Sequence, residues 1–171
     1  FCPNAESNPY PSINPASGDG ELSIERIPAV QKTRSTPLKG LAQIQLSIEM
    51  KNESGRDSQL VSEVDSDISE KLRSIGLEVI PFDVNSRLPN LHVTGAYLKD
   101  SNSLLCMAGV KLWQNVQLER NPNIKYNTVT WNRQSKNFSA RTKFALNDKV
   151  FEHIDLFISD WTCANPRILP H

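Results

Sequence analysis

Between Leu41 and Met50 the chain alternates. Ile44, Leu46, Ile48 and Met50 are separated by Gln43, Gln45, Ser47 and Glu49. A period of two sends successive side chains to opposite sides of an extended backbone, so this segment predicts a half-buried strand. The period then changes. Leu60, Val61, Val64, Ile68, Leu72 and Ile75 recur at steps of three and four, the apolar stripe of an amphipathic helix. Glu63, Asp65, Asp67, Glu70 and Lys71 form its wet side. Asp57 or Ser58 is placed to cap its first turn, and Gly76 to end it in a left-handed conformation.

Leu77–Phe82 reads as a short strand that Pro81 stops, giving a strand–helix–strand unit with parallel strands and a right-handed crossover. Leu91, Val93, Gly95 and Tyr97 predict a third strand. Asp100–Ser103 is a turn into a fourth, over about 104–119, where Leu104, Cys106, Ala108, Val110, Leu112, Val116 and Leu118 share one parity. Gly109 within it marks a place for a bend or bulge. Residues 120–124 turn the chain back, and Tyr126–Arg133 forms a fifth strand. The last element is a helix from about Ala140 to Cys163. Its stripe is Phe144, Phe151, Ile154, Ile158 and Trp161, flanked by Val150 and Phe157, and Asn165-Pro166 ends it.

The order β-α-β-β-β-β-α predicts an α+β fold: one mixed, mostly antiparallel sheet of about five strands with two long helices packed on one face. That domain covers 41–166, followed by a short tail at 167–171. Residues 1–40 hold six of the 11 prolines, interleaved with Asn, Ser and Gly. Such a segment buries too little apolar surface to offset its own ordering and reads as an extended polar leader.

The hairpin between the fourth and fifth strands sets up a candidate site. A turn centred on Pro122 places Glu119 opposite Lys125, a favourable cross-strand ion pair. The same register sets Trp113 opposite Trp131 and Lys111 opposite Arg133 on the sheet face away from the helices. Two tryptophans and two cations on an open face make a binding patch. Residues 20–40 of the same chain are the competing cover for it.

Composition narrows the function. The chain has 171 residues, with 19 Lys+Arg against 19 Asp+Glu. A balanced charge argues against a dedicated nucleic-acid binder. The balance is uneven along the chain: residues 111–149 carry eight cations against Glu119 and Asp148, whereas 49–100 carry ten anions against six cations. No apolar run is long enough to cross a bilayer. The chain opens Phe-Cys-Pro-Asn without a basic or apolar targeting region, so either the protein is cytoplasmic or a leader has been removed, and the polar lead-in favours the second.

The three cysteines, Cys2, Cys106 and Cys163, include no CxxC. Cys106 lies in an apolar run and reads as a core residue. Cys2 is open to two readings, a disulfide with Cys163 if the termini meet, or a lipid-attachment site. His92, His153 and His171 lack metal-pair spacing, and phosphate-cradle, nucleophile-elbow and zincin motifs are all missing. The reading is therefore of a non-enzyme with no metal and no cofactor.

The element order, with the local text Leu91-His-Val-Thr-Gly-Ala-Tyr97, Val116-Gln-Leu-Glu-Arg-Asn-Pro122, Thr128-Val-Thr-Trp131 and the terminal Ala-Asn-Pro166, resembles small uncharacterised exported bacterial proteins. Their architecture is similar to the periplasmic N-terminal domain of TolB and to lipoproteins that activate penicillin-binding proteins or secrete curli. The resemblance covers roughly 41–166. It implies a periplasmic interaction or scaffold domain of the cell envelope, monomeric or weakly dimeric, that binds a protein partner through its sheet face or edge, with membrane association only through a lipid anchor. Two rival readings stay open: a small enzyme whose site has no sequence signature, and a binder of anionic lipid or polymer through the basic half.

Overall fold

The computed structural model describes residues 36–166. A short 3-10 turn at Thr36–Leu38 leads into strand β1, Gln43–Asn52. A two-residue strand β2, Gly55–Arg56, folds back on β1. Helix α1 is Ser58–Ser74, and β3 is Glu78–Ile80. Strands β4 (Asn90–Asp100), β5 (Ser103–Leu118), β6 (Asn121–Gln134) and β7 (Phe138–Ala140) follow, and helix α2, Phe144–Ala164, closes the fold.

All seven strands form one mixed sheet in the order β2-β1-β4-β5-β6, with β3 also on β1 and β7 also on β5. The pairs β1–β3 and β1–β4 are parallel; the remainder are antiparallel. The α+β class and the two-helix, one-sheet plan are thus as the pattern predicts.

Helix α1 forms where the apolar stripe places it. Asp57 caps it by accepting the Leu60 N–H at 3.0 Å, and this contact together with Tyr97 Oη–H holds the Asp57 carboxyl below its ordinary range. Gly76, at φ +88°, carries the left-handed step out of the helix. Leu60, Val64, Ile68 and Leu72 are buried against Ile44, Leu46, Leu91, Val93, Val110 and Leu112 in a single core. Gly95 lies where β4 passes under Met50 and Leu146, and a Cβ at this position would overlap the Met50 sulfur.

Three features differ from the sequence reading. Residues 138–140 form the short strand β7 on β5, so the last helix begins at Phe144 rather than Ala140. The buried face of α2 is Leu146, Val150, His153, Ile154, Phe157 and Trp161, and Phe144 is 66% exposed. The helix is rotated because Leu146 and Val150 pack inward, which pushes Phe144 and Phe151 to its rim. Gly109 pairs regularly with Thr94 and Gln134; the bulge falls instead between Leu112 and Trp113.

The packed domain also reaches back to the 3-10 turn. Leu38 is fully buried, and Asn165 fastens this segment: its Nδ2 donates to the Leu38 carbonyl at 2.9 Å and its Oδ1 accepts the Gly40 N–H at 2.7 Å.

Candidate functional site

The two helices cover one face of the sheet. The opposite face presents the other parity of each strand, and strand register sets its layout. Ser47, His92, Lys111 and Asn132 lie side by side across β1, β4, β5 and β6. Gln45, Asn90, Trp113 and Val129 form the row towards one end. Towards the other end come Glu49, Thr94 and Gly109, then Lys51, Ala96 and Met107, then Leu98 and Leu105. The face has a polar middle, a mixed end at Trp113 and an apolar end at Leu98 and Leu105.

In the middle, Ser47 Oγ lies 2.9 Å from His92 Nδ1 and donates to Asn90 Oδ1 at 3.0 Å. Which of Ser47 and His92 donates follows the imidazole tautomer. Burial lowers the His92 pKa and Lys111 adds to the effect, with Glu49 opposing them, so the ring is neutral at pH 7. Chemically, the trio is a hydrogen-bonded brace across β1 and β4.

The end near Lys51 is different. Leu98, Leu105 and Met107 are 52%, 43% and 44% exposed. With Ala96, Asn52 and Asn137 they line a cleft of about 320 Å³ whose walls are mainly apolar. Contiguous exposed apolar side chains on a sheet face are the signature of a docking surface.

The four residues singled out from the sequence are divided between the two faces. The hairpin turns at Glu119–Arg120, not at Pro122, and Leu118 pairs with Asn121. Lys125 therefore faces Gln117, not Glu119. A second register shift leaves Thr130 as the extra residue, so Trp131 lies opposite Leu112 and Trp113 opposite Val129. Lys111 and Trp113 remain on the helix-free face. Trp131 and Arg133 are on the helix side, where Trp131 is only 5% exposed, and Lys111 lies opposite Asn132 rather than Arg133. The Pro122 signal misleads because β6 is an edge strand, where a missing N–H costs no ladder bond. Leu105 and Met107 were readable as the outward parity of β5, and their contiguity with Leu98 required the β4–β5 register. In the Cys2–Cys163 pairing, Cys2 lies outside the described residues; Cys106 is buried and free.

On the helix side one titratable group stands out. His153 is 6% exposed, and neither ring nitrogen has a partner among the described residues. Burial lowers its pKa; Lys149 and Arg133 act in the same direction and Glu152 opposes them. The folded state therefore resists protonation more than the unfolded chain does. Stability from this residue is complete above about pH 6.5 and is lost as pH falls below that value, with a slope of up to about 1.4 kcal/mol per pH unit. Urea unfolding at pH 7.5, 6.5 and 5.5 is expected to show this loss, and His153→Gln to reduce its slope, the remainder belonging to His92, whose pKa burial also lowers. An equal slope in the variant would refute the assignment. The window lies above the carboxylate range, so Glu49 and Asp57, whose pKa values are lowered, add their own losses only at more acidic pH.

Among the described residues no group of three or more His, Cys, Asp or Glu side chains is placed to hold a metal ion. No helix among them is long and apolar enough to cross a membrane. No protein-family model matches the chain, and no curated protein matches it significantly in sequence. Among solved structures, a PelC dodecamer from Paraburkholderia phytofirmans is similar at 14% identity and a TM-score of 0.36, over 70% of this chain and 86% of that one. A putative neuraminyllactose-binding hemagglutinin homologue from Helicobacter pylori is similar at 13% identity and a TM-score of 0.33, over 71% of this chain and 82% of that one.

Proposed function

We propose that this chain is a non-enzymatic interaction domain of the bacterial cell envelope that binds a partner protein through the helix-free face of its sheet. One observation carries the reading: Leu98, Leu105 and Met107 stand exposed together on that face, around an apolar cleft. Leaving three large apolar side chains in water is unfavourable by roughly 25 cal/mol for each Å² that a partner would cover. The envelope location is supported by the Pro-, Asn- and Ser-rich lead-in and by the resemblance of residues 41–166 to exported bacterial domains.

The test is capture from envelope extract with the wild-type chain and with Leu105→Asp/Met107→Asp. Both positions are exposed, so the double variant is expected to fold with less than about 1 kcal/mol of loss. The wild type is expected to retain a discrete partner that the double variant loses. Identical capture by both chains would remove the helix-free face from the proposal.

A further inference from the structure

The described part of the β5–β6 hairpin runs past the rest of the sheet. Strand β4 begins at Asn90, opposite Trp113, so residues 114–127 have no ladder partner on β4, and Asn115 Nδ2 donates to the Arg87 carbonyl at 3.0 Å in the loop before that strand. Five registered pairs, from Gln114–Thr128 to Leu118–Asn121, make an arm of roughly 17 Å at the usual strand rise. Val116 and Tyr126 are paired across it, and Leu118 lies two residues beyond Val116 on β5, while a register shift between Gln117 and Leu118 leaves Ile124 unpaired. Leu118, Ile124 and Tyr126 are exposed. Arg120 and Lys125 near the tip have no ion-pair partner among the described residues.

The helix layer holds a complementary feature. Two adjacent clefts of about 380 and 450 Å³ lie between α1 and α2 and share Asp67 and Phe151 in their linings; the pair is termed the trough. Phe144 and Phe151 line it with apolar surface, and Lys71, also in the lining, lies 5.8 Å from the centre of the Phe151 ring and is ion-paired to Asp155. Glu63, Asp67, Glu70 and Asp148 make its acidic walls, none of them ion-paired among the described residues. Asn147, whose Oδ1 is buried without a partner, lines the same trough. From Glu63 to Ser74 the α1 wall spans roughly 17 Å at 1.5 Å per residue.

From this match we propose that the trough is the seat for the β5–β6 arm of a second copy of this chain. The apolar side of the arm meets the phenylalanines, Arg120 and Lys125 meet the acidic walls, and the two lengths agree. Arm and trough are different surfaces, so the contact is heterologous: each copy offers one arm and one trough, and the chain assembles head to tail into a ring or filament. The proposal uses the opposite layer from the helix-free face and does not depend on the reading given for that face.

Sedimentation velocity on the whole chain tests it. The wild type is expected to form species larger than a dimer as concentration rises, and to dissociate in high salt, which screens the charged pairs. Tyr126→Asp removes the arm contact, and Asp67→Lys/Glu70→Lys removes the trough. All three positions are exposed, and unchanged circular dichroism and melting temperature confirm folding. Each variant alone is expected to be a monomer, whereas an equimolar mixture is expected to give a one-to-one dimer that grows no further, because only one intact arm and one intact trough can meet. Leu105→Asp is expected to leave assembly unchanged. A wild type that stays monomeric at every concentration overturns the proposal. So does a trough variant that assembles normally, since that outcome assigns the arm to another site, or a mixture that yields no heterodimer.

Discussion

Trp161→Ala is expected to lower the unfolding free energy by about 3–5 kcal/mol, a large share of the roughly 5–15 kcal/mol that holds an ordinary domain folded. Trp161 is fully buried in the last turns of α2. Its Nε1–H donates to the Leu41 carbonyl at 2.8 Å, a buried bond between the end of the chain's last helix and the residue that leads into β1. The substitution opens a cavity the size of an indole and strands that carbonyl. It also loosens the neighbouring turn, in which Asn165 Nδ2 donates to the Trp161 and Leu38 carbonyls at 2.9 Å. Trp161→Phe separates these effects. It keeps much of the packing but loses the donor, and is expected to cost about 1–3 kcal/mol for the unsatisfied carbonyl plus a smaller packing term. Urea unfolding followed by circular dichroism reads both. A loss below about 1 kcal/mol for the alanine variant would show that this end of the domain is not part of the cooperative core.

Trp131→Ala is expected to cost a similar amount, about 3–5 kcal/mol, with no direct effect on a surface at the helix-free face. The indole meets Phe157 edge to face, with ring centroids 5.2 Å apart, and its Nε1–H donates to Asp160 Oδ2 at 2.9 Å. Arg133 approaches the same carboxylate at 3.7 Å. These contacts tie the edge strand β6 to α2. Trp113→Ala is the control. Trp113 is half-buried on the other face, so its loss is expected to be distinctly smaller. Its removal is also expected to take away the most solvent-exposed part of the tryptophan fluorescence, since Trp131 and Trp161 are both buried. Equal destabilisation by the two alanine variants would contradict the placement of these tryptophans on opposite faces.

The contrast between the two tryptophans shows where a sequence stops being legible. In one strand, alternation assigns each residue to a face, and β5 is read correctly over most of its length. Pairing two strands needs the register as well, and a two-residue change in the turn followed by one bulge moves every partner. Trp131 and Arg133 pass to the helix side for that reason. The rim of α2 is a similar case. Its aromatic stripe is a sound helix signal, yet Leu146 and Val150 fill the inward positions and leave Phe144 in water. The exposed cluster of Leu98, Leu105 and Met107 involves two strands and exists only once β4 and β5 are aligned.

What local patterning determined by itself is the kind and order of most of the larger elements, the Asp57 cap, the Gly76 terminus and the α+β plan, since each depends on residues a few positions apart. Tertiary structure alone decided the partners across the sheet, the face each tryptophan occupies, the added strands β2 and β7, and the meeting of Asn165 with the 3-10 turn. Apart from β2, whose pairing with the end of β1 is local, those depend on contacts between residues far apart in the chain, where packing and hydrogen bonding select among registers that the local pattern permits equally.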